Sequence, residues 1–182
     1  MCRRLKNKHN NKLMTSMKFV DPASDITFHK DDVSNSKTAR VFNEFSDLEI
    51  GDKITNNDLQ KIFKCGPQGG MRKSNITNTL VLVTDQTRSA KDNPYVDKWI
   101  DNIFHYTGMG LKGNQSVSFM QNKTLSNLDE TNTKAFLFEK KSKNCYTFLG
   151  QVKLHDNYYF EQQSDSEGHI RVVVKFPLEI IE

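Results

Sequence analysis

Six short runs rich in β-branched and aromatic residues constrain this chain most: Thr79 to Thr84, Ile103 to Tyr106, Lys134 to Glu139, Tyr146 to Leu154, Asn157 to Glu161 and Ile170 to Leu178. Such side chains fit a pleated, half-buried surface, and Gly, Asn, Asp and Ser bound the runs where a chain must turn, so each reads as a strand. Helical spacing is confined to a few places. Val41, Phe42 and Phe45 recur at that spacing within Thr38 to Phe45, and Leu59, Ile62 and Phe63 do so within Asn56 to Phe63, after Thr and Asn residues suited to capping. Val117, Met120 and Leu128 mark a third candidate helix between Gln115 and Leu128. The fold class expected is α+β, a curled, mostly antiparallel β-barrel with a few flanking helices.

A length of 182 residues accommodates one domain with a sizeable core. There is no apolar run of about 18 residues, as a spanning helix needs, and the basic start lacks the apolar centre of a secretory signal, so a cytoplasmic protein without membrane contact is expected. Residues 1–18 hold six of the 26 basic residues and no acid, which reads as a basic disordered arm ahead of a domain spanning 19–182. The remaining 20 basic residues face 22 acids, so bulk charge does not argue for nucleic acid. Local charge does. The acid-free window between Asp58 and Asp85 carries Lys61, Lys64, Arg72 and Lys73, and that between Asp101 and Asp129 carries Lys112 and Lys123. Converging in space, they would face a phosphate backbone. Cys2, Cys65 and Cys145 lack C-x-x-C spacing and are read as reduced structural thiols rather than zinc ligands.

Familiar catalytic signatures are missing: there is no H-x-E with P-C-x-x-C, no Walker loop and no H-E-x-x-H helix. No catalysis, metal or cofactor is therefore assigned to the chain. Glu139-Lys140-Lys141 superficially matches half of a metal-dependent nuclease motif, but solvated charge at a strand end is the plainer reading. Two other segments carry more chemistry. Gly66-Pro67-Gln68-Gly69-Gly70-Met71-Arg72-Lys73-Ser74 reads as a flexible loop whose Arg, Lys and Ser can hold phosphates, with Gln68 or Met71 as a groove wedge. Asn102 to Gln115 packs an apolar strand, an aromatic-hydroxyl pair and three glycines together, just after Tyr95-Val96-Asp97-Lys98-Trp99-Ile100-Asp101. Flat stacking surfaces beside carboxylates suit a nucleobase.

The order of these segments resembles the SRA (SET- and RING-associated) domain of the PUA-like superfamily over about residues 50–178. Phe104-His105-Tyr106-Thr107-Gly108-Met109-Gly110 matches the family block F-x-Y-T-G-x-G, and Gln115 and Asn122 match the polar positions after it. The chain is similar to the modules that accompany HNH endonucleases in modification-dependent restriction enzymes. The resemblance implies a binding module for modified cytosine, 5-methyl or 5-hydroxymethyl, in double-stranded DNA. It also implies a pocket Tyr and Asp upstream of the block, matched here by Tyr95 and Asp97. No Y-D-G or Y-E-D-D string is present, so Trp99 and Asp101 stand as alternatives.

The chemistry is consistent with that carry-over. A base must leave the duplex to be inspected in this way, at a cost of a few kcal/mol. Stacking on Tyr106 and on Tyr95 or Trp99 would return about 1–3 kcal/mol per base. Asp97 would accept from the cytosine amino group, and Thr107 would line the remainder. Gln68, Arg72, Lys73, Ser74, Lys112, Gln115 and Asn122 are the expected contacts to DNA backbone or groove. For Tyr106 and Trp99, core packing is the simpler alternative. Two competing functions remain at this stage: the targeting half of an endonuclease whose catalytic domain or subunit lies elsewhere, and a PUA-like RNA-binding module.

Overall fold

The computed structural model describes residues 40–89 and 92–181. The arm expected over residues 1–18 and the first residues of the helix expected at Thr38 lie outside them. Nine strands form one sheet: β1 Lys53–Ile54, β2 Met71–Ser74, β3 Thr79–Asp85, β4 Lys98–Ile100, β5 Ile103–Thr107, β6 Lys134–Ser142, β7 Cys145–Leu154, β8 Tyr159–Ser164 and β9 Ile170–Ile181. They run in the order β2-β3-β6-β7-β9-β5-β4, with β1 added to β7 and β8 to β9. All pairings are antiparallel except β3 with β6. The result is a mixed sheet that does not close through backbone pairing, where a barrel was expected. A parallel pair needs a crossover, and residues 86–133 supply it, carrying the β4–β5 hairpin with them.

β3 explains why the apolar run Thr79 to Thr84 shows no alternation: all six residues are buried, so the strand is covered on both faces. Leu80 and Leu82 enter a core with Phe104, Tyr106, Val174, Phe176 and Leu178. Val81 and Val83 face the other way, onto Phe136, Phe138, Phe148 and helix α1, Asn56–Phe63. That helix follows the sequence closely. Thr55 caps it, accepting from the Asp58 amide at 3.2 Å while Asp58 accepts from the Thr55 amide at 3.0 Å, the reciprocal arrangement of a capping box. Leu59, Ile62 and Phe63 are its buried stripe, each contributing about 1.5–3 kcal/mol by burial. Phe63 meets Phe45, Phe136 and Phe138 within 6.1 Å, so Phe63→Ala would cost about 3–5 kcal/mol.

β7 carries a bulge. Phe138 pairs with Phe148 and Leu137 with Gly150, leaving Leu149 as the extra residue. One inserted residue reverses which side chains face which layer. Accordingly Tyr146 and Phe148 lie in the α1 core, and Val152 in the opposite one.

Three expectations about local structure are corrected. Residues 40–44 are not helical, and only a 3-10 turn forms at Phe45–Asp47. There the Asp47 carboxylate takes the amides of Asn43 and Glu44 at 2.8 and 3.1 Å, giving the backbone a local alternative to an α-helix. The loop expected over Gly66 to Ser74 ends in strand β2, paired residue for residue with β3. The third helix shrinks to α2, Gln121–Ser126, followed by a 3-10 turn at Leu128–Glu130. Cys65 is a free thiol, as expected, and Cys2 lies outside the described residues.

Candidate modified-base pocket

Two neighbouring segments meet on β9. β5 pairs with it through Tyr106 opposite Phe176 and Thr107 opposite Lys175. Beyond β5 the chain stays on β9, since the Gly108 amide donates to Val174 and the Gln115 amide to Val172, both at 2.8 Å. The intervening Thr-Gly-Met-Gly turn is held from inside. Gln115 Nε2 donates to the carbonyls of Gly108 and Gly110 at 2.7 and 3.1 Å, while its Oε1 accepts from the Val174 amide at 3.0 Å. Asn122, fully buried, accepts from the Met109 amide at 2.6 Å and donates to Met109 and Ser116 carbonyls. A Cβ at Gly108 would lie 2.9 Å from Asn122 Oδ1, so the close fit requires glycine there.

Facing this turn is the segment preceding β4. The Asp97 carboxylate accepts from the Thr107 amide at 2.8 Å. Beneath it, Lys175 is completely buried and donates from Nζ to the Val96 carbonyl at 2.5 Å and to Thr107 Oγ1 at 2.8 Å. Four residues earlier on the same strand, Arg171 is also buried. It bridges the two walls by donating to the carbonyls of Pro94 at 2.9 Å and Gly110 at 2.5 Å, with its guanidinium 5.9 Å from the centre of the Tyr95 ring.

Tyr106 forms the floor. Its hydroxyl donates to the Gly70 carbonyl at 2.9 Å, with the Val83 carbonyl at 3.3 Å. Tyr95, Asp97, Tyr106 and Thr107 line one cleft of about 720 Å³, together with the Gln68 to Arg72 segment, Met109 and Gly110.

Burial sets the electrostatics. It pushes the Asp97 carboxyl up, against the opposing pull of the Thr107 amide, the Thr84 hydroxyl and Lys175. It pushes the Lys175 ammonium down, with Asp97 opposing. The Tyr106 phenol is raised well above its ordinary value by burial and by the Asp97 charge, so it remains a protonated donor.

The expected site residues therefore divide. Tyr95, Asp97, Tyr106 and Thr107 line one cleft, although Tyr106 and Thr107 are each only 3% exposed and Tyr106 also packs in the core. Trp99 does not line the cleft: it sits on β4, is 47% exposed and packs on Phe104 at 4.9 Å between ring centroids. Gln68 lines the cleft and is exposed, and Lys73 and Lys112 are exposed as phosphate contacts require. Lys112 is paired with Glu167.

The other backbone candidates are engaged inside the protein. Arg72 donates to the Gly69 carbonyl at 2.9 Å and Asn56 Oδ1 at 2.7 Å, although it lines the cleft. Ser74 donates to the Lys64 carbonyl at 3.0 Å. Gln115 and Asn122 hold the turn, so their polar atoms face backbone rather than solvent. Arg171 and Lys175 were not singled out from the sequence. The available signal was two cations inside an apolar strand, where an unpartnered charge is too costly to bury.

Residues 50–182 match the model of the ScoMcrA-like SRA domain. The chain belongs to the SRA domain family. A ScoMcrA fragment holding the sulfur-binding and SRA domains, complexed with phosphorothioated DNA, superposes with a TM-score of 0.58 at 14% identity, over 74% of this chain and 40% of that one. The SUVH5 SRA domain bound to fully hydroxymethylated CG DNA matches at TM-score 0.51 and 22% identity, over 74% and 89%. AspBHI, a DNA modification-dependent restriction endonuclease, matches at 0.52 and 15%, over 69% and 37%. The SRA chain thus spans less than half of the ScoMcrA and AspBHI chains it resembles. No curated protein sequence matches it.

Proposed function

We propose that this SRA domain is a reader of modified cytosine in duplex DNA, receiving the base, rotated out of the helix, between Tyr95 and Tyr106 with Asp97 at its amino edge. One observation carries the reading: an aromatic floor, a second aromatic wall, a part-exposed carboxylate and a threonine open into a single cleft. The carboxylate supplies the acceptor that a cytosine amino group needs and a thymine carbonyl repels. The family relatives support the wider class of ligand, since ScoMcrA was seen with phosphorothioated DNA and SUVH5 with hydroxymethylated DNA. AspBHI and ScoMcrA, both restriction endonucleases, support a role in targeting a nuclease domain or subunit.

The test is a salt-matched titration against one duplex bearing cytosine, 5-methylcytosine or 5-hydroxymethylcytosine at a single position, with RNA as competitor. A modified duplex should bind at least tenfold more tightly, about 1.4 kcal/mol, and Asp97→Asn should abolish that preference. Equal, strongly salt-dependent binding to all duplexes would indicate phosphate contact alone and overturn the reading.

A further inference from the structure

The stretch of cleft wall from Pro67 to Gly70 has no buried side chain of its own, since residues 66–70 are all exposed. Without an apolar anchor it keeps its shape only through its backbone groups, and the glycine pair Gly69-Gly70 leaves that backbone free to take other conformations. Three of its carbonyls are engaged. Gly70 accepts from the Val83 amide at 2.7 Å and from the Tyr106 hydroxyl at 2.9 Å. The other two are taken by side chains: Arg72 Nε donates to Gly69 at 2.9 Å, and Asn56 Nδ2 donates to Pro67 at 3.0 Å.

These two side chains also hold each other. Arg72 Nη1 donates to Asn56 Oδ1 at 2.7 Å, and Nη2 reaches the Tyr146 hydroxyl at 3.4 Å, with the guanidinium 5.5 Å from the centre of the Tyr146 ring. The Asn56 amide in turn donates to Asn144 Oδ1 at 2.8 Å. Both ends of this clamp are rooted in regular structure, because Arg72 pairs with Val81 across β2 and β3, and Asn56 opens α1. Arg72 is only 5% exposed. A guanidinium serving a phosphate presents its fork to solvent, whereas this one directs Nε and both terminal nitrogens at neutral acceptors inside the protein.

We propose that Arg72, together with Asn56, is a positioning residue of the base cleft: it fixes the Gly69-Gly70 wall on which the Tyr106 hydroxyl is anchored and does not itself hold the DNA backbone. The inference rests on the base-reading function proposed above. Loss of the clamp releases the Pro67 and Gly69 carbonyls and loosens the wall, so discrimination between bases falls. Attraction to phosphates, which this buried fork does not supply, stays as it was.

The experiment titrates the full chain, Asn56→Ala and Arg72→Met against one duplex bearing cytosine, 5-methylcytosine or 5-hydroxymethylcytosine at a single position, at several salt concentrations. In both variants the preference for the modified duplex should fall at least about fivefold, while the slope of log affinity against log salt keeps the parent value. Unfolding midpoints check that each variant is folded, and Asn56→Ala, which removes no charge and leaves β2 untouched, carries the test if Arg72→Met does not fold. A slope reduced by about 0.9 in Arg72→Met, with the preference retained, would make Arg72 a phosphate contact and overturn the inference. A preference unchanged in Asn56→Ala would overturn it too, and in both cases the base-reading function would stand. A parent chain that binds all the duplexes equally would overturn both.

Discussion

Lys175→Met tests whether the buried cation on β9 supports the pocket. Methionine keeps most of the aliphatic stem and removes the charge. Two hydrogen bonds from an ammonium disappear, to the Val96 carbonyl at 2.5 Å and Thr107 Oγ1 at 2.8 Å. Hydrogen bonds from a charged donor are worth about 1.5–3 kcal/mol each, and relief of the buried ammonium offsets part of that. What remains is the half-buried Asp97 carboxylate, which has lost a nearby counter-charge. Removing one partner of a buried charge pair costs about 3–5 kcal/mol. Asp97 and Lys175 interact through Thr107 rather than in direct contact, so a loss near the lower bound, about 3 kcal/mol, is expected. Urea denaturation at neutral pH measures it through the midpoint at unchanged slope. The double variant Lys175→Met/Asp97→Asn should recover about 1–3 kcal/mol of the loss as coupling between the two sites. A single variant within about 0.5 kcal/mol of the parent, or strict additivity in the double variant, would refute the support assigned to Lys175.

Gly70→Ala places a Cβ 2.9 Å from the Tyr106 hydroxyl, so it should displace the ring and lower the melting temperature; Tyr106→Phe, which removes the hydroxyl, should relieve part of the loss, and simple additivity would contradict the contact. Asn122→Ala removes three hydrogen bonds at a fully buried site and should cost at least about 2 kcal/mol in chemical denaturation; a neutral effect would mean the turn holds itself. Trp99→Ala should leave the preference for modified DNA intact in the duplex titration while Tyr95→Ala reduces it, because only Tyr95 lines the cleft; the opposite result would restore Trp99 to the pocket. The pKa of Asp97 is raised in the folded state, so the cost of burying its charge is absent below the ordinary value of 3.8, grows as pH rises from there and is complete above the folded value. Wild type should therefore gain stability relative to Asp97→Asn as pH falls from about 7 towards 4, read from paired denaturation midpoints, and a flat difference would refute the assignment.

The sequence disclosed the parts of this domain that obey one local rule. α1 was legible because Thr55, Asp58, Leu59, Ile62 and Phe63 state cap and stripe within nine residues. The strands β3, β5, β6 and β9 were legible from composition, and the aromatic-hydroxyl pair Tyr106-Thr107 from its glycine-rich surroundings. Elements whose reason lies elsewhere in the chain were not. β2 is short, with Arg72 and Lys73 at its centre, and becomes a strand because β3 offers a partner. Tyr146 and Val152 read as one alternating face, but the bulge at Leu149 assigns them to opposite cores. At the site, the resemblance to the SRA block singled out Gln115 and Asn122 but not which way they point. Their partners are backbone groups of the Gly108 to Ser116 turn and of Val174 on β9, a matter of packing that spacing does not express.

The same distinction bears on how the pocket is held. A pocket wall built on loops is precise only if something fixes those loops, and here the fixing groups are two buried cations on one strand. Arg171 ties Pro94 to Gly110, and Lys175 ties Val96 to Thr107, so each spans the gap between the segment carrying Tyr95 and Asp97 and the one carrying Thr107. Their acceptors are three backbone carbonyls and the Thr107 hydroxyl, none of which changes charge over the ordinary pH range. β9 therefore sets the separation of the two walls, and it does so from beneath, leaving the cleft itself open to ligand. A conservative exchange separates support from simple packing: Arg171→Lys keeps charge and stem but cannot reach two carbonyls with a planar fork. It should weaken binding to the modified duplex by more than it weakens binding to the unmodified one, while the unfolding midpoint moves little. An equal loss on both duplexes would show that Arg171 only stabilises the fold.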